Sequence, residues 1–297
     1  MTAVSEELFA HVGDLDLCYQ TFGAEDDPPV LMVMGLGTQL VMWDDELCET
    51  LADRSLRVIR FDNRDIGRST ILRDRGVPTL RQTVLRDRSG ARYSLDEMAG
   101  DAVGLLDQLG IESAHVVGAS MGGMIAQLIA VNHPDRARSL VSIMSTTGSR
   151  RVGMPRPGMI PLLLRRPHPD HEGYVSDMVS ALRAIGSKRY PSDVDRLRGL
   201  AERCYERGHD RSGTARQLAA IQTAPDRTAA LGRLRLPAAV IHGSDDPLIR
   251  LSGGRATAKA IPGAQLLELD GMAHDLPLPL WPQIVETIVQ TTQSPFS

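Results

Sequence analysis

Short apolar runs alternate with amphipathic stretches along most of this chain, and that alternation limits the possible fold more than any other feature. Residues 29–35 are continuously apolar, as a strand covered on both faces must be. Similar runs predict strands at residues 56–62, 114–119, 138–145, 237–243 and 264–269, and amphipathic helices at about 43–53, 94–109, 121–133, 252–261 and 280–292. This order is typical of βα units that form a mostly parallel sheet.

Three segments depart from the pattern. Residues 7–12 and 15–22 alternate apolar and polar side chains, which predicts an antiparallel hairpin with Gly13 and Asp14 at its turn. Residues 148–231 contain no convincing strand and predict helices at about 158–165, 171–186, 192–207 and 211–223, whereas residues 73–92 predict a polar surface loop. We therefore expect an eight-stranded α/β core domain, residues 1–147 and 232–297, with a helical cap, residues 148–231, inserted after the sixth strand.

Charge and cysteine content exclude several classes of protein. With 33 Lys and Arg against 37 Asp and Glu, the net charge of −4 makes nucleic acid an improbable partner. Cys18, Cys48 and Cys204 are widely spaced, which favours neither a disulfide framework nor a zinc site. The first residues lack the basic and apolar regions of a secretory signal, and no apolar run is long enough to span a bilayer. We expect a cytoplasmic monomer or homodimer.

A candidate nucleophile lies where one predicted strand runs directly into a helix. Gly118, Ser120 and Gly122 form a Gly-x-Ser-x-Gly pattern between the strand at 114–119 and a helix that starts at about Met121. Glycines permit the tight turn, and a helix N-terminus favours negative charge that develops at the serine. Small residues also cluster at many packed turns, so the motif needs partners before it indicates catalysis.

A serine nucleophile requires a base and an acid, and the chain offers both near strand ends. His274 follows the last predicted strand, although it could be an ordinary loop histidine, and His242 is better explained as a core residue. Asp245 and Asp246 end the preceding strand, and we favour Asp246 because it stands just before the turn that begins at Pro247. The loop after the strand at 138–145 contains no acid that could compete for this role.

The backbone N–H groups of Leu36 and Met121 are candidate donors for an oxyanion hole. Leu36 is flanked by Gly35 and Gly37, which let the backbone approach a substrate, although both glycines could serve packing alone. Around the predicted chemistry we name pocket candidates with an apolar or minimal side chain: Gly35, Gly37, Met144, Met154, Met159, Leu248 and Met272. The methionines could equally fill the core.

Arginines are frequent in the predicted cap and include Arg196, Arg203 and Arg207. They could attract an anionic substrate. Because Asp and Glu residues are interleaved with them, a solvated, ion-paired helix surface is the favoured interpretation.

The order Ser120, Asp246, His274 resembles that of the α/β-hydrolase superfamily over nearly the whole chain. The segments Val33-Met-Gly-Leu-Gly37, Arg60-Phe-Asp-Asn-Arg-Asp-Ile-Gly-Arg-Ser-Thr70 and Gly271-Met-Ala-His274 resemble a bacterial branch of carboxylesterases that includes the anthracycline (aclacinomycin) methylesterases and mycobacterial lipase/esterase-like proteins. The resemblance implies that Asp62, Arg64 and Ser69 support the oxyanion loop from behind. Many relatives have His-Gly where this chain has Met34-Gly35, a difference that the methylesterase-like branch shares.

These observations predict a serine carboxylesterase that hydrolyses a small-molecule ester, of short to medium chain length or a bulky methyl ester, through an acyl-enzyme. The chemistry requires no metal and no organic cofactor. The same triad would also serve a haloperoxidase-like perhydrolase or a C–C bond hydrolase. A catalytically inactive receptor for a small ligand is the remaining alternative.

Overall fold

A computed structural model describes residues 2–85, 87–163, 168–210 and 212–294. Its centre is an eight-stranded sheet in the order β1-β2-β4-β3-β5-β6-β7-β8. Only β2 runs against the other strands, so the prediction of a mostly parallel sheet is confirmed. The strands are β1 (Leu8–Val12), β2 (Leu15–Phe22), β3 (Pro29–Val33), β4 (Arg57–Phe61), β5 (Ala114–Ala119), β6 (Ala137–Ile143), β7 (Ala238–Gly243) and β8 (Gln265–Leu269).

The sheet is buried because helices cover both of its faces. All six residues of β5 and all six of β7 are buried, as their apolar runs predicted. One apolar cluster contains side chains of helices α3 (Leu95–Gln108) and α4 (Met121–Asn132), and a second cluster on the other face contains those of α1 (Asp45–Ala52) and α11 (Trp281–Gln293). A capping box begins the helix at Leu95–Gln108, since Ser94 and Glu97 each accept a hydrogen bond from the other's backbone N–H.

Within the described residues the α-helices are α1 (Asp45–Ala52), α2 (Leu80–Leu85), α3 (Leu95–Gln108), α4 (Met121–Asn132), α5 (Ile160–Leu163), α6 (His171–Ile185), α7 (Val194–Glu206), α8 (Gly213–Thr223), α9 (Thr228–Leu231), α10 (Ser252–Ala260) and α11 (Trp281–Gln293). The segment 73–92, predicted as a loop, contains α2 and two 3-10 turns. The helix predicted at 158–165 is a 3-10 turn, Pro157–Met159, followed by α5, and residues 164–167 lie outside the described residues. The sequence pattern did not predict α9.

Helices α5 to α9 lie between β6 and β7, and we call residues 148–231 the helical insertion. Two arginines, one at the end of α7 and one on α8, form ion pairs with carboxylates of the core, and both side chains of each pair are buried. Arg207, at the end of α7, pairs with Asp62 at 2.9 Å, and Arg216 on α8 pairs with Asp65 at 2.7 Å. The insertion is therefore anchored to the loop that follows β4.

Arg207 corrects the expectation of a solvated arginine surface, because its side chain is buried. Arg203 pairs with Asp45 of the core at 2.7 Å, and Arg207 reaches Glu7 as well as Asp62. Arg198, which pairs with Glu202 on its own helix, does fit the expected exposed pattern. Arg203 and Arg207 pair with carboxylates that are distant in sequence, not with the Asp and Glu residues interleaved in the insertion.

Across the described ranges no helix combines the length and apolarity needed to cross a membrane.

Candidate active site

Ser120 occupies the sharp turn between β5 and α4. Its φ of 57° lies in the left-handed region, which is costly for a residue with a side chain. A Cβ atom at Gly118 would overlap the carbonyl of Gly122, and one at Gly122 would overlap the carbonyl of Val33. Both glycines are therefore required by close backbone packing, which turns the Ser120 side chain out of the strand.

His274 and Asp246 meet Ser120 in one line of hydrogen bonds. His274 Nε2 lies 3.0 Å from Ser120 Oγ, and His274 Nδ1 lies 2.7 Å from Asp246 Oδ2. Asp246 Oδ1 accepts the backbone N–H groups of Leu248 and Ile249, each at 2.8 Å. This geometry allows Ser120 to pass a proton to His274 while the buried carboxylate of Asp246 faces the other ring nitrogen.

The neighbouring acid and histidine occupy different positions. Asp245 is exposed, and its backbone N–H donates to the carbonyl of Met272. His242 is fully buried, and its Nε2 lies 2.7 Å from the carbonyl of Ile249. Burial lowers the pKa of His242, so its ring stays neutral. The structure thus joins His274 and Asp246, the partners favoured from the sequence, to Ser120, whereas Asp245 is exposed and His242 Nε2 lies 3.5 Å from Asp246 Oδ2.

The candidate oxyanion donors lie on the loop after β3 and at the first residue of α4, next to Ser120. In the part of the chain that the structure describes, the backbone N–H groups of Leu36 and Met121 have no hydrogen-bond acceptor. Gly35 packs so closely on the nucleophile that a Cβ there would lie 3.2 Å from Ser120 Cβ. Two unpaired N–H groups beside a serine at a helix N-terminus suit an oxygen that becomes negative.

A cavity of about 680 Å³ opens above Ser120 and His274. Of the pocket candidates, Gly35, Met144, Met154 and Leu248 line it, together with Leu36. Gly37, Met159 and Met272 are not among its lining residues, which corrects those three predictions. The Met121 side chain is absent from the lining as well because it packs into the apolar core, which leaves the backbone as its contribution to the site.

The packing of Met272, Gly37 and Met159 explains why these three residues do not line the cavity. Met272 is fully buried in the apolar cluster on the face of α1 and α11. Gly37 has a φ of 65°, and the space beside its Cα is occupied by the Thr214 side chain. Met159 lies in the 3-10 turn before α5 and is only partly buried.

Most of the cavity-lining residues that were not predicted from the sequence belong to the helical insertion. Three pairs of apolar residues spaced three apart face the cavity from α6, α7 and α8: Leu182 and Ile185, Leu197 and Leu200, and Leu218 and Ile221. This spacing was visible in the sequence as one face of each helix. The sequence did not show which partner that face would meet.

The loop that carries His274 is bound to the end of α6. The backbone N–H of His274 donates to the carbonyl of Ile185 at 3.0 Å, and that of Ala273 donates to Ser187 Oγ at 2.8 Å. Asp275 accepts hydrogen bonds from the backbone N–H and the hydroxyl of Ser187. Burial raises the pKa of Asp275, and the bonds from Ser187 act against that rise.

In the described part of the chain we find neither a candidate metal site nor a reactive thiol. Among the described residues no group of three His, Cys, Asp or Glu side chains could hold a metal ion. Burial raises the pKa values of Cys18, Cys48 and Cys204 to about 12, so all three remain protonated thiols at neutral pH.

Asp62, Arg64 and Ser69 make hydrogen bonds within the core, and their support of the oxyanion loop remains a prediction. Asp62 accepts the backbone N–H of Leu40 at 2.6 Å, Ser69 Oγ donates to the carbonyl of Asp62, and Arg64 forms a two-bond ion pair with Asp101. None of the three lines the cavity.

Comparison with known proteins identifies the family of this chain. The model of the alpha/beta hydrolase fold family matches residues 28–278. Rhodomycin D methylesterase DauP of Streptomyces sp. (strain C5) is 28% identical, over 95% of this chain and 96% of its own length. A protein named carbamate hydrolase RutD of Azorhizobium caulinodans is 31% identical, over 90% of this chain and 91% of its own length.

A solved structure shares the fold across the full chain. The enol-lactonase from Burkholderia xenovorans LB400 superposes with a TM-score of 0.76 at 23% identity, covering 97% of this chain and 100% of its own. The methylesterase match confirms the resemblance given by the sequence motifs, and together with the hydrolase RutD it supports the prediction of a carboxylic ester hydrolase. The chain belongs to the alpha/beta hydrolase fold family.

Proposed function

We propose that this protein hydrolyses carboxylic esters through an acyl-enzyme formed on Ser120. The observation that carries the proposal is the continuous line of hydrogen bonds from Ser120 through His274 to Asp246, with distances of 3.0 and 2.7 Å. A serine hydroxyl becomes a nucleophile only when a base accepts its proton, and His274 Nε2 lies within reach. The methylesterase relatives support an ester as the substrate.

In the first half-reaction Ser120 Oγ attacks the ester carbonyl and its proton passes to His274 Nε2. The carbonyl oxygen becomes an oxyanion that accepts hydrogen bonds from the N–H groups of Leu36 and Met121. As the tetrahedral intermediate collapses, His274 gives the proton to the leaving alcohol. Water then attacks the acyl-enzyme by the same route, and this step releases the acid and restores the Ser120 hydroxyl.

Asp246 has the role of holding the His274 ring and stabilising the imidazolium. Its second oxygen accepts two backbone N–H groups, so the carboxylate is fixed in position and remains an acceptor toward Nδ1. A carboxylate that is buried and held in this way does not need to take up a proton during the reaction.

The cavity favours esters with a large apolar group. Its volume of about 680 Å³ is that of a site for a drug-sized ligand, and leucine, isoleucine and methionine form much of its wall. We infer that the helical insertion acts as a cap over Ser120, because α6, α7 and α8 supply much of that wall. A methyl ester of a bulky acid fits this cavity, as the name of the DauP relative suggests, and medium acyl chains fit it as well.

The test is a panel of p-nitrophenyl esters of increasing acyl length, extended to methyl esters of bulky acids. We expect hydrolysis by the wild-type protein, with a preference for larger apolar acids, and at least a 10⁴-fold loss in Ser120→Ala. Ser294→Ala, at an exposed serine after α11, is the matched control and should retain full activity. Full activity in Ser120→Ala would refute the proposal.

A fluorophosphonate probe tests the nucleophile separately from the substrate. Labelling of wild-type protein and of Ser294→Ala, but not of Ser120→Ala, is the expected result. A protein that has this fold but only binds its ligand would react slowly or not at all. Assays for peracid formation and for C–C bond cleavage, run beside the ester panel, would identify the two other activities that the same triad could serve.

A further inference from the structure

The loop that carries Leu36 is held by a side chain of the helical insertion. Gln217, on α8, is fully buried, and its Oε1 accepts the backbone N–H of Gly37 at 2.8 Å. Gly37 follows Leu36 directly, so this bond acts on the peptide next to the candidate oxyanion donor. The two residues are 180 positions apart in sequence.

Other hydrogen bonds also act on this loop: Asn63 Nδ2 donates to the carbonyl of Met34 at 3.0 Å, and the backbone N–H of Thr38 lies 3.5 Å from the carbonyl of Gly35. Gly35 and Gly37 have no side chains, and Gly37 adopts a left-handed φ of 65°. On one side of Leu36, Thr38 Oγ1 donates to the carbonyl of Gly35 at 2.9 Å. On the other side, the bond to Gln217 fixes the Gly37 peptide. The direction of the Leu36 N–H therefore depends on contacts on both sides of the residue, and the contact at Gly37 comes from the insertion.

Gln217 is itself held in place at both ends. Its Nε2 donates to the carbonyl of Arg64 at 2.8 Å. The preceding residue, Arg216, forms two hydrogen bonds of 2.7 Å with Asp65, and both side chains are fully buried. A glutamine amide with both ends bonded and no exposed surface has little freedom to rotate.

We infer that Gln217 is a positioning residue for the oxyanion hole, an inference that rests on the function proposed above. Gln217 does not touch the ester. It fixes Gly37 and thereby aims the Leu36 N–H at the place where the carbonyl oxygen becomes negative. The helical insertion is therefore part of the catalytic machinery as well as a wall of the substrate cavity.

Gln217→Met tests the inference because methionine has nearly the same length but cannot accept the Gly37 N–H. We expect kcat to fall roughly 10- to 100-fold, with KM within about threefold of wild type, since a misaligned oxyanion donor weakens the transition state more than the bound ester. A trifluoromethyl ketone, whose adduct with Ser120 places an oxyanion in the hole, should bind more weakly by a similar factor.

Gln127→Met is the matched control. Gln127 is also fully buried with both ends of its amide bonded, since Nε2 donates to Ser142 Oγ and Oε1 accepts from Arg227 Nε, and neither partner belongs to the loop that carries Leu36. It should lose thermal stability much as Gln217→Met does, while kcat and the affinity for the ketone stay near wild-type values. If Gln217→Met does not fold, Gln217→Asn, whose shorter side chain cannot reach Gly37, takes its place.

Two results would overturn the inference. One is a kcat for Gln217→Met within threefold of wild type, and the other is an equal loss of kcat in both methionine variants, which would indicate a structural role alone. Failure of the proposed function is distinguishable, because wild-type protein would then show no ester hydrolysis at all.

Discussion

Asp246→Asn provides a demanding test of the proposed triad, because the structure fixes how the new amide must be oriented. Oδ1 accepts two backbone N–H groups at 2.8 Å, so the asparagine must leave its oxygen there. Its NH₂ group then faces His274 Nδ1, at the position where Oδ2 lies 2.7 Å away. Two N–H groups cannot face each other, and Nδ1 must become an acceptor.

The consequence is the wrong tautomer of His274. With its proton on Nε2, the ring presents a donor to Ser120 Oγ and cannot accept the serine proton. We expect kcat to fall by about 10⁴-fold, equivalent to about 5 kcal/mol of transition-state free energy. The two backbone hydrogen bonds are retained, so the free energy of unfolding should change by only about 1 kcal/mol.

The assay is steady-state hydrolysis of a p-nitrophenyl ester, with thermal unfolding measured on the same samples. Asp245→Asn is the control, since Asp245 is adjacent, carries the same charge and is exposed away from His274. It should keep wild-type activity. A loss of less than tenfold in Asp246→Asn, or equal losses in the two variants, would refute the assignment of Asp246 as the partner of His274.

Three further predictions concern the elements around the triad. Ser120→Gly should be more stable than Ser120→Ala by about 1 kcal/mol in urea unfolding, because both lose the hydroxyl and only glycine relieves the φ of 57°; equal stability would contradict the strain. Ser187→Ala should lower kcat roughly tenfold while KM is unchanged, since it releases the loop before His274; a change in KM alone would contradict this. Burial, with a smaller effect of nearby Arg138, lowers the pKa of His115 to about 4. As pH falls from about 6.5 toward 4, protons therefore bind the unfolded state preferentially, and the free energy of unfolding decreases by up to about 3 kcal/mol. In a series of unfolding curves at different pH, His115→Gln should flatten this decrease.

Much of the fold and the line of hydrogen bonds at Ser120 could be predicted from the sequence because each depends on local patterns. An apolar run such as residues 29–35 needs cover on both faces, which few arrangements other than a helix-covered parallel sheet provide. Loops at the carboxyl ends of parallel strands meet at one edge of the sheet, so the order Ser120, Asp246, His274 was enough to bring the three side chains together.

The pocket was predicted less well because the direction of a side chain depends on its tertiary partners. Met272 is two residues before His274, yet it points into the core, whereas Met144 and Met154 reach the cavity. Gln217 gave no signal at all, since a glutamine in an amphipathic helix is ordinarily a surface residue. Its partners, Gly37 and Arg64, are more than 150 positions away.

The strengths of the ion pairs decide how the insertion can move relative to the core. Arg203 and Asp45 are each close to half exposed, so their pair contributes at most about 1 kcal/mol and can open readily. Arg216 with Asp65 and Arg207 with Asp62 are buried on both sides, and separating such a pair costs about 3–5 kcal/mol because each charge is left without a partner. A swing of α7 and α8 away from the core would break both pairs and also remove Gln217 from the oxyanion loop. We therefore expect substrate to enter through smaller movements that leave the end of α7 and the start of α8 in place, which would keep the proposed oxyanion hole assembled between turnovers.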